Sequence, residues 1–184
     1  YRSEDRKMSQ TRFLTSLLVA FLIAFFSVYA FGYRGVRFFL VPSSSMEPTL
    51  FPSDYLISVK EPAYKRGDIV VVRDPQDKES YMVKRIVGLP GDTIAIAAGA
   101  LFINGKYASE PYIKEPMEIE LSPFSVPEGE YFVLGDNRNN SEDSATWRKG
   151  IPTQDVIGKV RWIYNPISRM GPVASYPLTN LDEL

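Results

Sequence analysis

Between Arg12 and Arg34 the chain carries 21 consecutive uncharged positions, FLTSLLVAFLIAFFSVYAFGY. Crossing a hydrocarbon core takes ~20 apolar residues in a helix, so the stretch has the length of a membrane span. A buried core helix would also be apolar, but so few polar positions leave no face for water. A cleavable leader fits less well. Its apolar region is ~7–15 residues long, and the next residues, FGYRGVRFF, lack a small-residue cleavage site. The pattern predicts a transmembrane helix over 13–33, behind a tail of residues 1–12. Arg2, Arg6, Lys7 and Arg12 precede the span, against Arg34 and Arg37 after it. Positive charge favours the cytoplasmic side, which leaves the tail there and sends the rest of the chain outside.

From about Arg37 the pattern changes. DYLISVK, DIVVVRD, YMVKRIVG, TIAIAAGALFINGKYAS, EYFVLGD and GKVRWIYNPI are β-branched and aromatic runs closed by Gly, Pro or Asp. Such runs read as short strands joined by turns. In LFINGKYA, Asn104-Gly105 suits the two-residue type I′ turn of a hairpin. Residues 109–130, SEPYIKEPMEIELSPFSVPEGE, are acidic and proline-bearing and read as an exposed excursion ending in a turn. The expected fold is mainly β: a single twisted, barrel-like sheet domain over 37–184, preceded by one N-terminal transmembrane helix.

Composition narrows the chemistry more than the fold. The 184 residues suit one domain and an anchor. Their 21 basic and 22 acidic residues nearly cancel, which argues against nucleic acid as a partner. Without cysteine there is no disulfide, thiolate metal site or thiol nucleophile. Without histidine the commonest metal ligand and the commonest general base are both gone.

Three stretches could carry chemistry. The first is VPSSSMEPTL, Val41 to Leu50. A serine there could be a nucleophile, or Ser44 with Glu47 could form a capping box or open a turn. A serine hydroxyl reacts only when a base takes its proton, and here that base would have to be a carboxylate, a deprotonated Lys or Tyr, or a terminal amine. A lysine serves only where burial lowers its pKa. Lys84 fits that need. In YMVKRIV, alternation puts Met82, Lys84 and Ile86 on one strand face, so this lysine is either desolvated or reaches water at the sheet edge. The third stretch is GDNRNNSEDSATW, 135–147. Counted from Asp136, positions six and twelve hold Ser141 and Trp147, which rejects an EF-hand loop. A donor-and-acceptor network that fixes another group fits better.

Taken in order, PSSSMEPTL, KRGDIVVVR, YMVKRIVGLPGD and GDNRNNSEDS resemble the sequence boxes of bacterial type I signal peptidases, membrane-anchored peptidases of the serine–lysine class. The resemblance covers nearly the whole chain past Phe39. It implies Ser45 as nucleophile and Lys84 as general base, with the Ser45 N–H and the Ser43 hydroxyl as oxyanion donors. It implies that Ser141 orients Lys84 and that Asp143 supports the loop, and it gives Ser44 no role. Val41, Pro42, Met46, Leu50, Met82 and Val83 would line two shallow substrate pockets, with an extended substrate added to the Met82–Lys84 backbone. The implied substrate is a secreted preprotein cut after an Ala-x-Ala-like site, by an enzyme in the bacterial plasma membrane with its catalytic domain outside. Neither metal nor cofactor is implied, and membrane lipid would meet FFLVPS and Phe51.

One departure stands out. After Asp143-Ser144 the family usually has arginine, and this chain has Ala145. The ion pair to Asp143 is lost unless Arg138 or Arg148 replaces it. The competing reading from another class is a membrane-tethered β module that binds extended peptides without cutting them. That reading leaves Ser45 and Lys84 unexplained.

Overall fold

The computed structural model describes residues 2–29, 32, 35–176 and 178, with side chains from Arg12 onward. The chain divides into two units, residues 1–36 and 37–184. The first contains helix α1 (Arg2–Val28). Its apolar side chains, from Phe13 to Val28, are exposed on all sides of the helix. Among the described residues no helix is long and apolar enough to cross a membrane. The predicted span 13–33 extends past them, since Ala30, Phe31 and Tyr33 lie outside the described residues.

The second unit is mainly β. In chain order its strands are β1 (Val36–Leu40), β2 (Tyr55–Val59), β3 (Ile69–Arg73), β4 (Tyr81–Gly88), β5 (Thr93–Ala97), β6 (Ala100–Ile103), β7 (Lys106–Tyr107), β8 (Leu121–Ser125), β9 (Glu130–Leu134), β10 (Ile151–Pro152), β11 (Val156–Asn165) and β12 (Gly171–Pro172). A one-turn helix, α2 (Ser144–Trp147), lies between β9 and β10. Each predicted strand run is a strand, and Asn104 and Gly105 turn the β6–β7 hairpin with φ of 53° and 77°. Both values are positive, as a type I′ turn requires.

The strands occupy two sheets where one was expected. The larger has eight strands in the order β1-β2-β11-β3-β4-β9-β10, with β12 against β11, and the smaller has the order β7-β6-β5-β8. Pro90 and Gly91 end β4 in a turn, Gly91 with φ of 82°, so the next hairpin leaves the larger sheet.

The 109–130 excursion is also not an exposed loop. Its Tyr112, Met117, Leu121 and Val126 are buried among Ile94, Leu101, Phe132 and Leu134, and β8 pairs with β5. The acidic surface pattern misled because Glu110 is itself buried, forked to Arg138 by two hydrogen bonds of 2.6 Å. A carboxylate with such a partner can be taken out of water.

For function, the placement of β4 matters most. It runs between β3 and β9. From Val83 to Gly88 every residue is buried, because apolar clusters cover both faces. Pairing with β3 spans Tyr81–Arg85, whereas pairing with β9 begins only at Arg85. The backbone of 81–84 therefore has a strand on one side only.

Candidate active site

Lys84 lies at the end of that half-paired stretch, opposite Val70 of β3. It is 2% exposed, so of the two readings left open by its strand pattern the desolvated one holds. Burial drives its pKa below the usual lysine value, because the ammonium loses its hydration. The carboxylates of Asp143, Glu142, Asp136 and Asp74 pull in the opposite direction without cancelling the effect. The amine hydrogen-bonds the Ser141 hydroxyl at 3.0 Å. Ser141 in turn donates to Asp143 Oδ2 at 2.7 Å.

Asp143 is buried without the arginine that the family usually places at 145. Arg138 does not replace it, being forked to Glu110 and bonded to the Gly135 carbonyl at 2.9 Å. Arg148 is exposed, in the left-handed cap of α2. Three donors hold the Asp143 carboxylate: Ser141 Oγ, the Gly135 N–H at 3.0 Å and the Ala145 N–H at 3.2 Å. Neutral donors thus do the fixing, and Ala145 is buried against the core.

The serine run is a tight series of turns rather than a helix cap. Glu47 N–H bonds the Ser44 carbonyl at 3.1 Å, and Ser43 Oγ donates to Ser45 Oγ at 3.3 Å. Ser43, Ser45 and Lys84 open onto one cleft of about 210 Å³. Val41, Pro42, Met46, Met82 and Val83 line it, joined by Asp74 and Tyr81. Leu50 needs correcting. It is fully buried among Val41, Met46, Leu56 and Val83 and is not part of the lining. The resemblance that put Leu50 in the lining could not reveal that the turn folds it under the serines.

Several groups that the sequence reading passed over hold the site together. Arg85, the next residue along β4, is wholly buried and forks Asp136 through Nε at 2.8 Å and Nη2 at 2.7 Å. It also bonds the Gly67 carbonyl and lies 3.9 Å from the centroid of the Tyr112 ring. Thr49, from the serine run, donates to the same Asp136 at 2.5 Å. A charge in the middle of an apolar strand needs a partner, and that was the available signal for Arg85. Asn137 and Asn140 reach the serine run directly, at 3.1 Å to the Ser44 carbonyl and 2.9 Å to its hydroxyl. Gly135 lets the two segments approach. A Cβ there would fall 2.5 Å from the Ser45 carbonyl oxygen and 2.7 Å from Ser141 Cβ. Among the described residues no group of three or more Asp or Glu side chains could hold a metal ion.

The arrangement brings a hydroxyl and an amine of lowered basicity to one small, largely apolar cleft beside an open strand edge. Comparison with known proteins points the same way. The family described as signal peptidase, peptidase S26, matches residues 10–165. Signal peptidase I of Bacillus licheniformis is 34% identical over 183 residues, covering 92% of this chain and 96% of that protein. Signal peptidase I P of Bacillus subtilis subsp. natto is 36% identical over 185 residues, with coverages of 92% and 97%. A signal peptidase I of Leptolyngbya laminosa is 39% identical over 163 residues, covering 77% and 79%. Among solved structures, a signal peptidase I from Enterococcus faecalis V583 is 32% identical, covers 53% of this chain and 96% of its own, and has a TM-score of 0.44. With a family match of that extent and relatives that span nearly their whole length, the chain belongs to the signal peptidase family, peptidase S26, and is an enzyme of that family.

Proposed function

We propose that this signal peptidase works by a serine–lysine dyad, with Ser45 as nucleophile and Lys84 as general base. The observation that carries the reading is the buried Lys84 amine, bonded to Ser141 and opening onto the cleft that also holds Ser45. Neutral Lys84 takes the Ser45 proton as Oγ attacks the scissile carbonyl carbon. The tetrahedral intermediate collapses to an acyl-enzyme, and the lysine ammonium gives its proton to the leaving amine. Lys84 then removes a proton from water as the water attacks the ester. When the bond from the acyl carbon to Ser45 Oγ breaks, the ammonium returns that proton to Oγ, which releases the acid and restores the enzyme. Ser43 Oγ and the Ser45 N–H stabilise the oxyanion, while Ser141 and Asp143 hold the lysine.

The substrate segment adds as a strand along the unpaired edge of 81–84. Alternate side chains then enter the apolar lining of Val41, Pro42, Met46, Met82 and Val83, whose small volume suits Ala-x-Ala-like ends of signal peptides. The apolar surface of α1, with the uncharged sequence that runs to residue 33, anchors the enzyme in the bacterial plasma membrane. The catalytic unit then lies on the extracytoplasmic side, where the cut point emerges.

The test is cleavage of a purified preprotein by detergent-solubilised enzyme. Wild type is expected to cut after the small-x-small site. Ser45→Ala and Lys84→Ala are each expected to lose ~10⁴-fold or more in kcat while still folding. A Lys84→Ala variant that cuts at the wild-type rate would refute the base assignment.

A further inference from the structure

Asn137 has no part in the dyad, yet it grips the backbone on both sides of Ser45. Its side-chain amide donates from Nδ2 to the Ser44 carbonyl at 3.1 Å, and its own backbone N–H donates to the Ser45 carbonyl at 3.0 Å. Asn137 is 3% exposed, so little water competes for either bond. Asn140 adds a third hold, from Nδ2 to Ser44 Oγ at 2.9 Å.

The Ser44 carbonyl and the Ser45 N–H belong to one peptide group. That group is planar and trans, so its C=O and N–H point in opposite directions. Fixing the carbonyl on Asn137 therefore fixes the direction of the N–H. Among the described residues this N–H donates to no other group. The bond to Asn137 also polarises the amide and makes its N–H a better donor. With the Ser45 carbonyl held as well, the backbone torsions on both sides of the nucleophile are set by one residue.

Building on the dyad reading, we propose that Asn137 is the positioning residue of the oxyanion hole. It holds the Ser44–Ser45 peptide so that the Ser45 N–H meets the developing oxyanion, with the Asn140–Ser44 bond keeping the run in register. This gives Ser44 a use, as the hydroxyl that Asn140 grips. The same loop carries Ser141, so one segment sets both the oxyanion donor and the orientation of the base.

The experiment compares Asn137→Ala and Asn137→Asp with wild type and Ser45→Ala, using detergent-solubilised full-length enzyme. Asn137→Asp keeps the side chain's size and the backbone bond to Ser45 but replaces the donor by an acceptor facing the Ser44 carbonyl. We measure kcat and KM on a preprotein, thermal midpoint, and inhibition by a peptide aldehyde, whose hemiacetal oxygen occupies the oxyanion position. Removing a whole oxyanion donor typically costs ~10²–10³-fold, and misdirecting one is expected to cost about 10–100-fold. The expected result is that loss in kcat, a matching loss in aldehyde affinity and little change in KM. Wild-type kcat and aldehyde affinity in both variants would overturn the proposal, as would losses explained entirely by the fraction unfolded. If Ser45→Ala itself still cuts, the dyad reading falls first, and the two failures are told apart.

Discussion

At the scale of single residues, the proposed dyad depends on a lysine whose basicity is lowered mainly by lost hydration. A folded-state pKa below the unfolded value of 10.5 has two consequences of definite sign. The neutral base is generated as pH rises through the lowered pKa, so kcat/KM is expected to climb on a limb that lies below pH 10.5. The unfolded chain binds the extra proton across the same window. Stability therefore also rises with pH there, and the burial penalty is largest below the folded pKa. Lys84→Met should abolish activity, raise the urea midpoint near neutrality and flatten its rise with pH, and urea titrations at several pH values measure this. Gly135 is the second sensitive residue. A methyl there would press on Ser45 and Ser141 at distances well inside contact. Overpacking typically costs about 1–3 kcal/mol. Gly135→Ala is expected to lose stability by that amount and kcat disproportionately, since both neighbours serve the proposed dyad.

At the scale of elements, β4 presents Lys84 and Arg85 in succession, both buried, on a strand whose two faces are covered. Arg85 tolerates this because Asp136 accepts two of its donors and the Gly67 carbonyl a third. Tyr112, its ring beneath the guanidinium, has its own pKa raised by burial and the nearby Glu110. Removing one member of a buried pair strands the other charge, at about 3–5 kcal/mol. Asp136→Ala should lose that much in urea denaturation. Arg85→Met combined with Asp136→Leu should lose clearly less than the two single changes added together, because no charge is then left unpaired. The pair also links β4 to the serine run through Thr49, so Asp136→Ala should lower kcat even in the folded fraction.

At the scale of the whole molecule, the unit 37–184, which carries the proposed dyad, has its own apolar core. Removing residues 1–36 takes away α1 and its exposed Phe, Leu and Val side chains and leaves that core intact. The shortened protein is expected to cut a soluble peptide substrate within several-fold of the wild-type kcat/KM. It should process a vesicle-inserted preprotein far more slowly, because the proposed anchor no longer holds it at the bilayer. Equal rates on the vesicle substrate with and without residues 1–36 would remove the anchor from the functional account. Phe38, Leu40, Phe51, Trp162, Ile167 and Met170 stay exposed on the unit 37–184 and are the side chains expected to retain residual lipid contact.

The serine and lysine boxes were legible through their resemblance to a known family, and the strands and the Asn104-Gly105 hairpin because each rests on local rules. Alternation, turn chemistry and short spacings act over a few residues. Lys84 could be singled out for the same reason: its neighbours on the same strand face, Met82 and Ile86, are apolar. Whether it was buried could not be read, since that depends on what covers the strand. The tertiary structure also decided that Arg85 would be paired, that 109–130 would pack, and that Leu50 would lie beneath the cleft. Above all, it brought 135–143 onto 43–49 through hydrogen bonds between residues 93 and 96 positions apart in the chain. No local pattern encodes such a meeting. It arises from the order in which strands enter a sheet, where β9 lies beside β4 and delivers its loop to the serines.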